Sequence, residues 1–266
     1  MNVSAPPLLT QIKNGVLRLT LNRARVGNCL NLALLKQLTG EISTAGNDPA
    51  IRVIIIAASG SLFCSGHDLK EMTARRSDDD GGREFFHTTL AACSALMQAI
   101  IQSPRPIIAE VHGPALAAGA QLVATCDLAV ASTNAGFCLP GVDIGLFCST
   151  PMVAVSRNIS HKHTMEMLLT GDVISANRAC EMGLVNRVVS ADVLSAETEA
   201  LAGKIAAKSS AVLKLGKQAF YQQADMSLAS AYEFTTCVMI ENMLNDAAQE
   251  GIGAFLEKRA PIWPQD

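Results

Sequence analysis

The sequence predicts an α/β fold, in which buried parallel strands alternate with helices and an all-helical section follows. Three short, continuous apolar runs at residues 52–58, 106–111 and 127–131 are typical of strands buried on both faces of a sheet. Helical patterns lie between these runs, and consecutive parallel strands are joined by right-handed crossovers. From Thr150 onward the helical period dominates, and only residues 184–189 predict another strand.

The N-terminal segment predicts a hairpin and then a helix. Asn14 and Gly15 separate two strand-like runs at residues 8–13 and 16–21, and an Asn-Gly pair favours a two-residue hairpin turn. Asn31 is a suitable N-cap for the helix that we expect after it, because its side chain can accept a hydrogen bond from the first helical turn.

The C-terminal part predicts five helices, whose apolar faces must pack on the core or on another subunit. They are expected at residues 162–169, 175–182, 191–207, 212–222 and 228–245.

The composition of the 266 residues narrows the functional class. With 17% charged and 49% hydrophobic residues, part of the surface is expected to be hidden in an oligomer, although a large core would explain the same composition. A net charge of −3 gives no electrostatic footprint for nucleic acid. No apolar run reaches the ~18 residues of a membrane span, and the N-terminus lacks a signal-peptide core.

Eight cysteines occur singly, without a C-x-x-C pair, which argues against a disulfide framework and against a zinc site. His161 and His163 do not have the spacing of metal ligands, so no metal is expected. We therefore expect reduced thiols that pack as small hydrophobic groups, in a chain located in the cytoplasm.

Two glycine-containing turns each follow a predicted strand and open a helix. The first turn, at residues 62–72, contains Gly66, which permits a bend that exposes the N–H of His67. The second turn, at residues 112–122, is rich in small residues and offers the unpaired N–H groups of a helix N-terminus. Two such N–H groups that converge on one oxygen would form an oxyanion hole.

Ordered sequence motifs run along nearly the whole chain. The first turn reads F-C-S-G-H-D-L-K-E-M, and further characteristic stretches occur at residues 21–23, 28–31, 106–109, 112–113, 126–131, 167–171, 179–188 and 250–259. On these motifs the chain resembles the enoyl-CoA hydratase/isomerase, or crotonase, superfamily. The stretches A-A-G-A-Q-L and P-G-V-D-I-G-L-F-C-S-T-P resemble a narrower group, the enoyl-CoA hydratase domain-containing proteins and their bacterial relatives.

The resemblance implies a ClpP-like spiral of ββα turns at residues 1–200 and a helical trimerisation region at residues 201–266. Proteins of this family act on acyl-CoA thioesters, need no cofactor apart from the CoA of the substrate, and form trimers or dimers of trimers. The resemblance also implies that the backbone N–H groups of His67 and Ala118 form the oxyanion hole.

The resemblance further implies which residues hold the CoA nucleotide and pantetheine. They are Arg23, Leu30, Cys64, Ser65 and Gly66. Lys258 would reach the nucleotide phosphates, either in its own subunit or in a neighbouring one. Alternatively, it is a solvated lysine at a helix end without a role.

A typical hydratase of this family uses two carboxylates, and the resemblance places Gln121 and Gly141 at the corresponding positions. An amide can orient water but cannot act as a base near neutral pH, and glycine has no side chain. Each general acid–base group typically contributes ~10²–10⁴-fold, so hydration is expected to be very slow without substitutes. Restoring glutamate at both positions is expected to create or raise hydratase activity.

Two polar residues near Gly141 are candidate substitutes. On an extended segment the side chain of Asp143 would point to the same side as position 141, about 7 Å further along, although a turn or cap carboxylate is the simpler interpretation. Ser149 matches a position where some family members carry an aspartate, but a cap of the helix that Pro151 opens is the favoured interpretation.

Histidines and cysteines are the remaining candidates for chemistry. The side chain of His67 could be a base, although a histidine at the surface or at a pocket rim is the simpler interpretation. His87 lies beside two phenylalanines and is expected to pack against them. Cys64 and Cys148 have no evident activating partner, so we expect inert thiols.

The sequence therefore predicts an enoyl-CoA hydratase/isomerase-type enzyme that stabilises a thioester enolate, with Gln121 holding water or substrate. Two alternatives remain open. The missing carboxylate pair favours a non-catalytic acyl-CoA binder or assembly subunit. An oriented water without an alkene acceptor would give an acyl-CoA thioester hydrolase.

Overall fold

A six-stranded sheet forms the centre of the computed structural model, which describes residues 5–264. Its strands are β1 (Leu8–Lys13), β2 (Val16–Leu21), β3 (Val53–Ala58), β4 (Ile107–Val111), β6 (Leu128–Ser132) and β9 (Arg187–Val189). They lie side by side in that order. Only β1 and β2 pair antiparallel in this sheet, so the parallel sheet predicted from the apolar runs is confirmed.

The N-terminal hairpin forms where the sequence predicts it. Asn14 (φ 51°) and Gly15 (φ 75°) both adopt the left-handed conformation, which a type I′ turn requires at its two central residues. In β2, Leu17, Leu19 and Leu21 are buried while the residues between them are half-buried. The hairpin therefore places one apolar face against the core and sets the register of the sheet.

A second, three-stranded sheet consists of β5 (Ala115–Leu116), β7 (Gly136–Cys138) and β8 (Ile174–Ser175). The expectation that residues 184–189 form the only strand after Thr150 is wrong, because β8 also lies there. A two-residue strand is too short to produce a periodic pattern, so its pairing partner decides whether it forms.

The helices are α1 (Leu32–Asn47), α2 (Leu69–Ala74), α3 (Arg83–Gln102), α4 (Ala118–Thr125), α5 (Pro151–Val155), α6 (His161–Thr170), α7 (Ala176–Met182), α8 (Leu194–Ala206), α9 (Ser210–Gln223), α10 (Leu228–Leu244) and α11 (Asp246–Leu256). The Asn31 side chain accepts a hydrogen bond from Leu34 N (3.0 Å), which confirms the predicted N-cap of α1. The five predicted C-terminal helices are α6 to α10. The sequence analysis missed α11, although Asn245 caps it by accepting from Ala247 N (2.8 Å).

The two sheets and their helices form a spiral of repeating ββα turns. β3, β4 and β6 lie in the large sheet, and each is followed by backbone that pairs in the second sheet and then by a helix. The second-sheet segments are Cys64, which forms a parallel bridge with Ala115, then β5, then β7. The following helices are α2, α4 and α5, so the ββα spiral that the family resemblance implies is confirmed.

Both faces of the large sheet are covered. Ile54 and Ile56 of β3 face the main core, which contains α1, α3 and α4, whereas Val53 and Ile55 face α8. The boundary expected between residues 200 and 201 falls inside α8, which packs on the sheet with the rest of the core. No helix in residues 5–264 combines the length and apolar character that a membrane crossing requires.

A buried ion pair attaches α9 to the sheet. Lys217 Nζ lies 2.7 Å from Asp127 Oδ2 and also donates to the backbone carbonyls of Ile100 and Arg105. The Tyr221 hydroxyl donates to the other carboxylate oxygen of Asp127 (2.9 Å). Burial lowers the pKa of Lys217 even though Asp127 opposes this shift. The network fixes the start of the C-terminal helices relative to the core.

The last helices present an unusually apolar surface. α10 contains no buried residue, yet large apolar side chains of α10 and α11 are exposed. They are Leu228, Tyr232, Met239, Ile240, Met243, Leu244, Phe255 and Leu256. Contiguous apolar surface of this kind is typical of a surface that another protein covers.

Candidate active site

The first turn exposes the backbone N–H of His67. Leu30 N donates to Gly66 O (2.8 Å) and Asp68 N donates to Leu30 O (3.1 Å), which is the pattern of a parallel bridge between Leu30 and His67. In such a bridge the N–H of His67 points away from Leu30, and among the described residues it has no acceptor. Gly66 has φ 94°, a conformation that side chains disfavour, so glycine is required there.

The second turn exposes the backbone N–H of Ala118. Leu116 N donates to Cys64 O (2.8 Å) and Ala117 N donates to Cys138 O (3.0 Å), so both preceding N–H groups are paired. Ala118 begins α4, where the first N–H groups have no intrahelical acceptor. Ala117 holds φ 48° and ψ −115°, a conformation that costs a non-glycine residue about 1–3 kcal/mol.

Glycines let the two turns pack directly against each other. A β-carbon added at Gly66 would lie 3.1 Å from Ala117 Cβ and 3.4 Å from Ala118 N. One added at Gly119 would lie only 2.3 Å from Cys64 O, and one added at Gly113 only 2.4 Å from the carbonyl oxygen of Ser61. The free N–H groups of the two turns therefore belong to backbone segments in contact.

A cleft of about 680 Å³ opens beside the first turn. This volume lies within the range of sites for small molecules. Its lining residues are Arg25, Val26, Cys29, Asn31, Ser65, His67, Asp68, Leu69, Lys70 and Glu71. Of the residues proposed from sequence, Ser65 and His67 line the cleft, whereas Leu30, Cys64, Gly66 and Ala118 are buried in the adjoining backbone. Two exposed cations also line the cleft. Arg25 lies between the proposed residues Arg23 and Leu30, whereas Lys70 was not predicted, although it belongs to the first turn.

Arg23 holds the wall of the cleft together. Its guanidinium forms an ion pair with Asp68 (Nη2 to Oδ2, 2.9 Å) and donates to the backbone carbonyl of Cys29. Burial alone would raise the pKa of Asp68, but hydrogen bonds from Arg23, Cys29 and the N–H of Glu71 outweigh it and hold that pKa below its usual value. The arginine that the resemblance assigns to CoA binding is thus already paired with the first turn.

Asn28 is a structural residue whose role the sequence analysis did not assign. It is fully buried in the left-handed conformation (φ 53°). Its Nδ2 donates to the carbonyls of Ser59 (2.7 Å) and Leu62 (2.8 Å), and its Oδ1 accepts from Arg23 N (2.8 Å). Asn28 therefore links the segment after β2 to the start of the first turn.

Gln121 lies one helical turn after Ala118 and is 4% exposed. Its backbone N–H donates to Ala117 O (3.0 Å), and its Oε1 accepts from the thiol of Cys93 in α3 (3.8 Å). Its Nε2 has no acceptor within residues 5–264. The amide therefore offers one free donor close to the start of α4.

Gly141 has no side chain, and its surroundings would hold one only tightly. It lies in a 3₁₀ helix (Pro140–Ile144), and a β-carbon there would be 3.0 Å from both Cys148 Sγ and Leu146 O. A glutamate at position 141 would have to displace Cys148 or Leu146 slightly, so the glutamate pair that is expected to create hydratase activity meets a crowded backbone at this position.

The structure corrects the interpretations of Asp143 and Ser149. Asp143 lies in the same 3₁₀ helix rather than on an extended segment, so its side chain does not share a face with position 141. Its carboxylate instead approaches Gly171. Ser149 does not cap α5: its Oγ donates to Phe147 O (3.3 Å), and Thr150 precedes the helix without a side-chain cap. Both residues are exposed, and neither lines the cleft.

His87 and Lys258 also lie outside the cleft. His87 is exposed on α3, so its expected packing role is wrong, whereas its two phenylalanine neighbours are half-buried. Lys258 is exposed just after α11 with φ 59°, and its ammonium has no hydrogen-bond or ion-pair partner in residues 5–264.

Burial accounts for the inert thiols predicted at Cys64 and Cys148. It raises the pKa of Cys64 to about 12 and also raises that of Cys148. Both thiols therefore stay protonated near neutral pH.

His67 is half-buried and lines the cleft, as a histidine at a pocket rim would, but its two ring nitrogens point into the protein. Both Nδ1 and Nε2 are buried, and neither forms a hydrogen bond of good geometry in the described part of the chain, although the backbone of Leu30 lies close enough to oppose part of the effect of burial on the ring's pKa. Burial lowers the pKa of the imidazole below 6.5, and the ring is therefore mainly neutral at pH 7.

A ββα spiral with two abutting turns, each with a free N–H, defines a protein of the crotonase class. The chain belongs to the enoyl-CoA hydratase/isomerase family, whose sequence model matches residues 11–266. Human enoyl-CoA hydratase domain-containing protein 3, a mitochondrial protein, is 44% identical over 253 residues, which cover 95% of this chain and 82% of that protein. The 2,3-dehydroadipyl-CoA hydratase of Escherichia coli is 33% identical over 256 residues, covering 96% and 97% of the two chains.

Solved structures agree with this assignment. The crystal structure of an enoyl-CoA hydratase from Mycobacterium smegmatis has a TM-score of 0.93 and 47% identity, covering 97% of this chain and 99% of that one. The crystal structure of human enoyl-CoA hydratase domain-containing protein 3 also has a TM-score of 0.93, with 43% identity and coverage of 97% and 100%. These likenesses confirm the fold, the family and the narrower group predicted from sequence.

The names of the vertebrate relatives state a mitochondrial location. This does not match the cytoplasmic location that the cysteine usage predicts. Unpaired cysteines indicate a reducing environment and do not identify a particular compartment.

Proposed function

We propose that this protein binds an acyl-CoA thioester at the junction of the two turns and stabilises its enolate, as an enzyme of the enoyl-CoA hydratase/isomerase type. The supporting observation is that the N–H groups of His67 and Ala118 lack acceptors and lie on backbone segments in contact. Donors held in this way stabilise a developing oxyanion, and one such donor typically contributes about 10²–10³-fold in rate.

The cleft supports CoA as the carrier of the acyl group. Arg25 and Lys70 are exposed cations in its lining and suit the phosphates of the nucleotide. The backbone of Cys64, Ser65 and Gly66 would run beside the pantetheine, and Lys258 would reach a phosphate from a neighbouring subunit. The proposed reaction needs no cofactor beyond the CoA of the substrate.

Gln121 is proposed to hold water or the substrate. The free donor on its Nε2 can bond an acceptor oxygen, while the Cys93 thiol occupies its Oε1. If Gln121→Ala turned over every accepted substrate at the wild-type rate, the proposed role of Gln121 would be refuted.

A non-catalytic acyl-CoA binder is the second candidate function. The observation that favours it is the closed space at Gly141, where the side chain of a hydratase glutamate would have to pass Cys148. A thioester hydrolase, which would use a water held by Gln121, is the third candidate.

The proposed assembly is a homo-oligomer, either a trimer or a dimer of trimers. The exposed apolar surface of α10 and α11 supports a second copy as its cover. Light scattering after size exclusion gives the mass directly, and Ile240→Asp on α10 is expected to shift that mass toward the monomer. A monomeric wild-type protein would contradict the proposed assembly.

Incubation with crotonyl-CoA and with butyryl-CoA tests the three functions. Loss of the conjugated enoyl absorbance indicates hydration, and release of free CoA from butyryl-CoA indicates hydrolysis. Tight binding of both compounds with neither signal indicates a binder. Failure of either compound to bind would contradict the proposed acyl-CoA site.

A further inference from the structure

His67 carries an unexplained pair of buried polar atoms. In residues 5–264, the buried side-chain nitrogen and oxygen atoms without a partner belong to His67, Thr89, Arg105 and Asn242. Within this group only His67 lines the cleft, and it contributes two atoms, Nδ1 and Nε2. Buried polar groups in folded proteins are normally hydrogen-bonded, so such an exception indicates a function or a missing partner.

The imidazole of His67 could supply the proton acceptor that the site otherwise lacks. The imidazole belongs to the residue whose N–H is proposed to hold the thioester oxygen, and that residue lines the cleft, so a turn of the shielded ring about its side-chain bonds would bring a nitrogen to the bound acyl group. Gln121 cannot act as a base near neutral pH, and Gly141 has no side chain. A proton acceptor is thus absent from the two positions where the family usually has it.

The charged and titratable groups around the cleft do not supply a better base. They are Arg25, Cys29, Asp68, Lys70 and Glu71. Asp68 is paired with Arg23, and Glu71 accepts from Leu32 N (3.1 Å). Burial raises the pKa of the Cys29 thiol to about 11, so it is protonated at neutral pH.

We propose that the imidazole of His67 is the base that removes a proton from the α-carbon of the bound acyl-CoA. This inference rests on the function proposed above and adds the proton-transfer step to it. A ring nitrogen takes the α-proton, the C–H electron pair becomes the double bond between the α and carbonyl carbons, and the carbonyl π pair moves onto oxygen. The N–H groups of His67 and Ala118 hold that oxygen. Return of a proton from the imidazolium restores the thioester, and in D₂O the imidazolium first exchanges its proton with the solvent, so that a deuteron is returned. Water is the only other reactant.

Exchange of the α-protons in D₂O tests this step without knowledge of the physiological substrate. Butyryl-CoA is incubated with the protein, and the decline of its α-proton signal is followed by NMR. We expect exchange with the wild-type protein and a decrease of at least ~100-fold in His67→Gln, the lower bound for a general base. The backbone N–H survives this substitution, so calorimetry with butyryl-CoA separates binding from proton transfer.

The pH profile and a second histidine make the test specific. Exchange should fall in acid with a midpoint below 6.5, since burial lowers the pKa of His67 and only the neutral ring accepts a proton. His87→Gln, on the exposed face of α3, is the matched control and should keep the wild-type rate and profile. His67→Phe, checked for folding by circular dichroism, preserves the ring shape without a base.

Each outcome decides between the two proposals. Binding with exchange that both His67 variants lose supports the base. Binding without any exchange, or with exchange that persists in a folded His67 variant, overturns the inference and leaves the proposed binding function intact. Absence of butyryl-CoA binding overturns both.

Discussion

Gly119→Ala tests the packing that brings the two turns together. A β-carbon at this position would lie 2.3 Å from Cys64 O and 2.8 Å from Cys64 Cβ. Neither atom moves easily, because Cys64 O accepts the hydrogen bond from Leu116 N (2.8 Å) that joins the turns. The substitution must therefore push α4 away from the first turn or break that bond.

The expected change in the free energy of unfolding of Gly119→Ala has three contributions. Overpacking of a core costs about 1–3 kcal/mol, and loss of one backbone hydrogen bond adds about 1 kcal/mol. Replacement of a helical glycine by alanine returns up to about 1 kcal/mol. We therefore expect the free energy of unfolding to fall by about 1–3 kcal/mol, and the affinity for butyryl-CoA to fall with it.

Urea denaturation followed by circular dichroism measures this change, with Gly40→Ala as the matched control. Gly40 lies in α1 and an added β-carbon there would meet nothing within 4 Å, so this variant should be stabilised by about 0.5–1 kcal/mol. If Gly119→Ala were stabilised as much as Gly40→Ala, the close contact between the turns would be refuted.

Three further predictions concern the site and its support. Gly141→Glu alone should lower the free energy of unfolding, measured in urea, by about 1–3 kcal/mol, because its side chain meets Cys148. For the same reason the double variant Gln121→Glu with Gly141→Glu should not hydrate crotonyl-CoA, and hydration by that variant would contradict the crowding at position 141. Lys217→Met should cost about 3–5 kcal/mol by leaving the Asp127 carboxylate unpaired, and adding Asp127→Asn should recover part of the loss in the same assay. Asp68 has a lower pKa in the folded protein than its unfolded value near 3.8, so its carboxylate stabilises the fold fully above that value and less as the pH falls through the folded pKa. The difference in unfolding free energy between the wild-type protein and Asp68→Asn should therefore be constant at neutral pH and shrink below about pH 4. A difference that grows in acid would refute the direction of the pKa shift.

Local patterns were sufficient to predict much of the fold. The Asn14-Gly15 turn, the buried run of β3 and the cap at Asn31 depend on residues that are neighbours in sequence, so their physical cause can be read there. β8 was missed because two residues carry no period and form a strand only when β7 is beside them.

The site was predictable in its backbone and not in its side chains. Gly66 indicates an exposed N–H because a positive φ is a local property. The closed space at Gly141 depends on where Cys148 folds back, and the unpaired ring of His67 depends on the absence of partners from every neighbouring element. Such properties arise from tertiary packing, which no single motif encodes.

The central claim is that the N–H groups of His67 and Ala118 polarise one thioester carbonyl. The most direct measurement is the ¹³C chemical shift of butyryl-CoA labelled at the carbonyl carbon, bound to the wild-type protein and to Ala118→Pro. Proline occurs at first helical positions and replaces the N–H by a ring carbon, so calorimetry must first show that Ala118→Pro still binds butyryl-CoA. His161→Pro, at the first position of α6, is the control. We predict a downfield shift on binding to the wild-type protein and to the control, and a clearly smaller one in Ala118→Pro. No shift on binding, or an equal shift in Ala118→Pro, would contradict the account.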